Sequence, residues 1–181
     1  NWDIDRKYTY DLLGFDAPVD NSIDCVASRD FVLEIVATLA QTANTMSRTA
    51  LDMYNWSTPE YGYIEVDDSC AVCSSIMPQK KNPFTFEHIK GKAAHMEGFM
   101  ISVYNGMKNV FFSHCRDVSV ETPRFFWTAM QEMEVDFALL TLTVRTMQVK
   151  RDRMYENAAR NFCTVTELAN YLVRHDGVAF R

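Results

Sequence analysis

Phe126, Met130, Met133, Phe137, Leu140, Val144 and Met147 recur at alternating steps of four and three residues through one continuous segment. A strand would bring alternate residues to one face, whereas this spacing brings every one of these side chains to one stripe of a helix, as in a coiled-coil seam. A second stripe runs through Phe31, Val32, Ile35, Val36, Leu39, Ala43, Met46, Ala50 and Met53. Ser28 is its expected N-cap, Asp30 suits the first turn of a helix, and Thr58-Pro59 closes it. A third helix is expected from Glu87 to about Met107, with Ile89, Ala93, Met96, Met100, Val103 and Met107 on one face. Gly91, Gly98 and Gly106 lie inside it, each costing about 1 kcal/mol against alanine, so close helix approach is expected to compensate.

Six glycines and five prolines are few breakers for 181 residues, and no run alternates like a strand. The expected fold class is therefore all-α, a long-helix bundle. Residues 1–27 read as polar and turn-rich with some helix, and a further helix is expected from Thr166 to Arg174. The texture changes after Lys150 to a shorter, more charged pattern, placing a boundary between residues 1–150 and 151–181. Many of the ten methionines sit on the stripes as packing residues, and seams this long call for further helices from other copies of the chain.

Composition excludes several functions. A net charge of −6 argues against general nucleic-acid binding, which needs Lys and Arg against phosphates. The longest uncharged run, Ile35 to Ser47, is 13 residues, too short to span a bilayer, and no signal peptide is visible. Five cysteines at scattered spacing fit free thiols in the cytoplasm. Cys70 and Cys73 form a C-x-x-C pair, but no partner pattern for a metal follows, so no metal is expected. The chain opens at Asn1 rather than Met and stops at Arg181 in mid-pattern, which reads as part of a longer protein.

Chemistry concentrates in C-S-S-I-M-P-Q-K-K-N-P-F-T-F-E, Cys73 to Glu87. Two hydroxyls, two ammonium groups and an amide lie between Ser74 and Asn82, and Lys80, Lys81, Lys90 and Lys92 make a local field suited to anions. With N–H groups at the start of the next helix, this is a cradle for carboxylates or phosphates, with a serine available for proton transfer. The same residues also suit a solvated basic loop whose serines cap turns, and composition does not choose between the two. His88, His95, His114 and His175 carry no partner pattern of a catalytic group.

The segment S-S-I-M-P-Q-K-K-N-P resembles the signature loop of the fumarase/aspartase superfamily, and its Q-K-K-N-P ending is similar to argininosuccinate lyase and its relatives, including delta-crystallins. L-L-G-F-D at Leu12–Asp16, N-S-I-D at Asn21–Asp24, S-R-D-F-V-L-E at Ser28–Glu34, E-Y-G-Y-I-E before the loop and T-V-T-E-L-A-N-Y-L-V near the end extend the likeness through the chain. Because that family's chains are longer, the resemblance implies the later part of a central helical bundle plus the start of a small C-terminal helical domain.

The resemblance also implies a lyase that releases fumarate by β-elimination from a succinyl-amine, in the manner of arginine biosynthesis, without a cofactor. Ser74 would be the base, Lys80 and Asn82 would stabilise the dianionic intermediate, and Glu87 would orient a general-acid histidine. That histidine would come from another subunit of a homotetramer with shared sites. Ser75, Lys81, His114, Arg116, Ser119 and Thr122 would bind substrate. Departures are visible too. Cys73 stands where the family has Gly, and His114, Ser119 and Thr122 replace Tyr, Gln and Lys in the second substrate-contacting segment, while Arg116 and Asp117 are kept. The pattern leaves two roles, a lyase on argininosuccinate or a related compound, and a non-catalytic structural homologue of the delta-crystallin kind. Pro123 places the start of the last long helix at its own first turn.

Overall fold

A computed structural model describes residues 2–108, 110–160 and 162–180; Asn1, Asn109, Asn161 and Arg181, including both ends at which the sequence breaks its pattern, lie outside the described residues. Helices dominate: α1 (Arg6–Leu13), α2 (Ser22–Ala27), α3 (Asp30–Trp56), α4 (Phe84–Gly106), α5 (Arg116–Val120), α6 (Thr122–Thr146), α7 (Arg151–Ala158) and α8 (Val165–Asp176). The all-α expectation holds, with α3, α4 and α6 as the long elements. Asp5 and Asn21 cap α1 and α2 by accepting backbone N–H groups, and Gly14 and Gly177 close α1 and α8 at positive φ.

Local chemistry corrects three boundaries. Helix α3 begins at Asp30, and the amides of Val32 and Leu33 bond to the carbonyl of Arg29. Ser28 is thus one residue short of the capping position, its Oγ accepting from the Asp30 N–H at 3.3 Å. Helix α4 starts at Phe84, three residues before the first residue expected, because the carbonyl of Pro83 accepts from Phe86 and Glu87 at 3.1 and 3.4 Å. Helix α8 begins one residue earlier and ends two later than expected.

Four two-residue strands were not foreseen, being too short to show a pattern. Strand β1 (Ile64–Glu65) pairs antiparallel with β4 (Gln148–Val149), setting Ile64 against Val149, and β2 (Val72–Cys73) pairs with β3 (Lys81–Asn82), setting Cys73 against Lys81. A 3₁₀ turn, Asp68–Cys70, leads into β2.

The chain divides into two units, Asn1–Thr42 with Ala94–Met133, and Ala43–Ala93 with Glu134–Arg181. In the first, Val32, Val36, Met96, Val103, Val118, Phe126 and Ala129 are buried; in the second, Met46, Ala50, Ile64, Val66, Phe86 and Ile89 are. The face of α6 differs from the apolar seam. Phe126 and Met133 are buried, but with Thr122, Ala129, Asp136 and Thr143, while Met130, Phe137 and Val144 stay 40%, 47% and 41% exposed. The 4-3 spacing is right and the buried stripe lies beside the one that hydrophobicity marks. Close approach is likewise found at only one of the three helical glycines: a Cβ on Gly106 would meet Thr122 at 2.9 Å, whereas Gly91 and Gly98 face open space.

Candidate functional site

The signature segment is a hairpin. Strands β2 and β3 form its base, and between them the chain makes two local turns. In the first, the Oγ of Ser74 accepts from the backbone N–H groups of Ile76 and Met77, both at 3.3 Å. In the second, the Lys80 N–H donates to the Met77 carbonyl at 3.0 Å, with Pro78 at the corner position that its fixed φ favours. The Ser74 N–H then donates to the Lys80 carbonyl at 3.3 Å, closing the loop on itself. Serine chemistry at this position is thus set by the backbone, since two amide dipoles already point at the hydroxyl oxygen.

Beyond the hairpin, Thr85 anchors the start of α4. Its buried hydroxyl and that of Thr143 on α6 hydrogen-bond at 2.8 Å. Glu87 lies in the first turn of α4, exposed, where a negative charge complements the helix dipole.

The two adjacent lysines differ. Lys81 pairs with Asp68 at 2.7 Å and with Glu65 at 3.9 Å, and Glu65 is in turn paired with Lys150 at 2.7 Å. The hydrogen bond from Lys81 to Asp68 raises the Lys81 ammonium above its ordinary value, and the hydrogen bond and charge of Lys150 hold the Glu65 carboxyl below its own. Asp67 is likewise lowered, by accepting from the hydroxyl and N–H of Ser69. Lys80 has no carboxylate partner among the described residues. Sequence reasoning placed Lys81 on substrate beside Lys80; it missed Glu65, Asp68 and Lys150, for which the Asp67-Asp68-Ser69 turn was the one signal available.

Lys80, Lys81 and Asn82 line a cavity of about 460 Å³ with Tyr54, Ser57, Glu65 and neighbouring residues, bringing one free ammonium and one amide to a common space. Ser74 and Ser75 do not line it. Ser74 is half-buried and Ser75 exposed.

The remaining expected residues belong to the other unit. His114 is exposed before α5, and Arg116 opens that helix, its carbonyl accepting from the Ser119 hydroxyl at 3.1 Å. Asp117 accepts from the N–H of Val118 at 2.9 Å. Thr122 departs from expectation. It is fully buried at the start of α6 against Gly106, and its hydroxyl has no hydrogen-bond partner among the described residues. Packing, rather than reach into solvent, fixes its position.

Cys70 is buried and Cys73 exposed, both as free thiols. Among the described residues, no cluster of three or more His, Cys, Asp or Glu could hold a metal ion, and no helix is long and apolar enough to cross a membrane.

The chain matches the lyase family over residues 3–98. It is 48% identical over 178 residues to argininosuccinate lyase 1 of Shouchella clausii, covering 98% of this chain and 36% of that protein. Among solved structures it is similar to an EDDS lyase variant with bound fumarate, with a TM-score of 0.83 and 34% identity, covering 100% of this chain and 36% of the other. A class II fumarase from Schistosoma mansoni shares the fold, with a TM-score of 0.73 at 16% identity over 95% of this chain and 37% of that one. The chain thus spans about 36% of the length of the curated relative it matches.

Proposed function

Since the chain belongs to the lyase family, as an argininosuccinate lyase-like member of the fumarase/aspartase superfamily, we propose that it supplies part of an enzyme releasing fumarate by β-elimination from a succinyl-amine. Argininosuccinate, giving arginine and fumarate, is the leading substrate. The observation that carries this reading is the pair of N–H groups, from Ile76 and Met77, on Ser74 Oγ at 3.3 Å each. A serine hydroxyl is far too weak an acid to act as a base in water, and donors aimed at its oxygen favour the alkoxide. In the proposed step, Ser74 removes the proton from the carbon next to a substrate carboxylate. The electron pair moves onto that carboxylate, giving a dianion that Lys80 and Asn82 stabilise. It then returns to form the fumarate double bond as the C–N bond breaks, and a general acid protonates the departing amine. The step needs no cofactor beyond these groups.

The general acid is assigned to a histidine of another subunit, oriented by Glu87. Ser75, His114, Arg116 and Ser119 are proposed to contact substrate, with Ser119 and Arg116 already joined through the helix α5 backbone. A homotetramer is the proposed assembly, supported by the exposed Met130, Phe137 and Val144 on α6, a stripe suited to a further helix. The free thiols support a cytoplasmic location. Residues 1–150 are assigned to the central bundle and 151–181 to the start of the C-terminal domain.

The test is fumarate release followed by ultraviolet absorbance, using the full-length protein with argininosuccinate. Ser74→Ala should lower kcat by about 10²–10⁴-fold, the usual contribution of a positioned general base, with little loss of fold. Appreciable turnover left in that variant would remove Ser74 from the base role.

A further inference from the structure

Two ammonium groups stand side by side in sequence at Lys80 and Lys81, yet among the described residues only Lys81 has a carboxylate partner. Lys81 sits on β3, opposite Cys73 on β2, and reaches back to Asp68 on the 3₁₀ turn before β2 and to Glu65 on β1. Glu65 continues the chain of charges to Lys150, just after β4, the strand that pairs with β1. Four charges of alternating sign therefore join two separate two-stranded ribbons. A ribbon of two residues per strand is marginal by itself, and an isolated surface ion pair adds little, but a connected network fixes several segments at once. The raised Lys81 and lowered Glu65 values point the same way, since each group is held in its charged form by its partner.

We propose that Lys81 is a positioning residue, whose ion pairs with Asp68 and Glu65 fix strand β3, which carries Asn82 and directly follows Lys80, so that an incoming carboxylate meets one free ammonium and not two. The inference rests on the reading of Lys80 and Asn82 as anion-stabilising groups. Asp68 offsets the charge of Lys81, and the +1 of Lys80 is left to the anion. Tethered Lys81 serves the chemistry through its two neighbours in sequence, Lys80 just before β3 and Asn82 on it.

Two readouts test this in the full-length protein. Steady-state fumarate release from argininosuccinate should show kcat falling about 10- to 100-fold in Lys81→Met, the scale on which ångström misplacement acts, with KM within about twofold. Asp68→Asn should reproduce the fall, the double variant should be no worse than either single one, and Lys81→Arg should restore most of kcat. Amide hydrogen exchange over residues 74–82 should quicken about tenfold in Lys81→Met and Asp68→Asn, because a loosened ribbon opens more often. A raised KM with unchanged kcat, indifference to Asp68→Asn, or unaltered exchange would overturn the proposal. The exchange experiment does not depend on turnover. If Ser74→Ala keeps full activity or no fumarate forms at all, the catalytic reading fails while the tether is still tested.

Discussion

Replacing Gly106 with alanine tests how closely the last turn of α4 meets the first residue of α6. In an open helical position the change would stabilise the protein by about 1 kcal/mol, through the better helix propensity of alanine. Here the new Cβ would lie 2.9 Å from Thr122 Oγ1, 3.1 Å from its Cα and 3.5 Å from its Cβ. Favourable carbon contacts lie at about 3.5–4.0 Å, so the contact with Cα is well inside the repulsive range. A hydroxyl could rotate away; a Cα cannot move unless the start of α6 shifts, and Thr122 is completely buried. Overpacking of this kind costs about 1–3 kcal/mol, so the net change is a loss of about 0–2 kcal/mol after the propensity gain. Gly98→Ala, with nothing within 4 Å of its Cβ, is the internal control and should gain the full propensity benefit. Urea denaturation of the full-length protein, with m-values held in common, should therefore separate the two variants by about 1–3 kcal/mol. Adding Thr122→Ala to Gly106→Ala removes the nearest atom and should recover part of the loss, while KM stays unchanged because Thr122 is a packing residue. Equal stability of Gly106→Ala and Gly98→Ala would refute the close approach, and a raised KM in the Thr122 variant would return that residue to the substrate.

Thr143→Val keeps the shape of the core but deletes the buried hydroxyl bonded to Thr85 at 2.8 Å, and should cost about 1–3 kcal/mol by leaving the Thr85 oxygen unsatisfied; equal stability to wild type by urea denaturation would count against that bond. Acid should loosen the charge network before alkali does. The Glu65 value lies below its ordinary 4.5, so its contribution is present above that pH and lost as pH falls through the lower folded value. The Lys81 value lies above its ordinary 10.5, so its contribution is complete below that pH and lost only at higher alkalinity. Glu65→Gln should flatten the acid side of the stability profile relative to wild type, and superimposable profiles would show that Glu65 is not coupled to folding.

How much of this was readable in the residues depends on how local the cause is. The helices were legible because spacing of three and four residues is a property of a short segment, and so was the clustering of polar groups in the loop, because Ser74, Lys80 and Asn82 sit within nine positions. The two short ribbons were not, since β1 finds β4 far along the chain and two residues carry no period. Hydrophobicity alone marked Met130, Phe137 and Val144 on α6, but the adjacent stripe with Thr122, Ala129, Asp136 and Thr143 is the buried one. A helix with two neighbouring faces of 4-3 spacing leaves the choice to its neighbours. The sequence by itself determined helical class, the clustering of hydroxyl, ammonium and amide groups in one loop and the adjacency of Lys80 and Lys81. Only tertiary structure decided that Lys81 is tied to Asp68 and Glu65 while Lys80 has no carboxylate partner among the described residues, and that Gly106 is the glycine pressed against another helix. The physical reason is common to both: periodicity and residue chemistry are carried by the chain locally, but a charge's partner and a glycine's neighbour are supplied by segments remote in sequence.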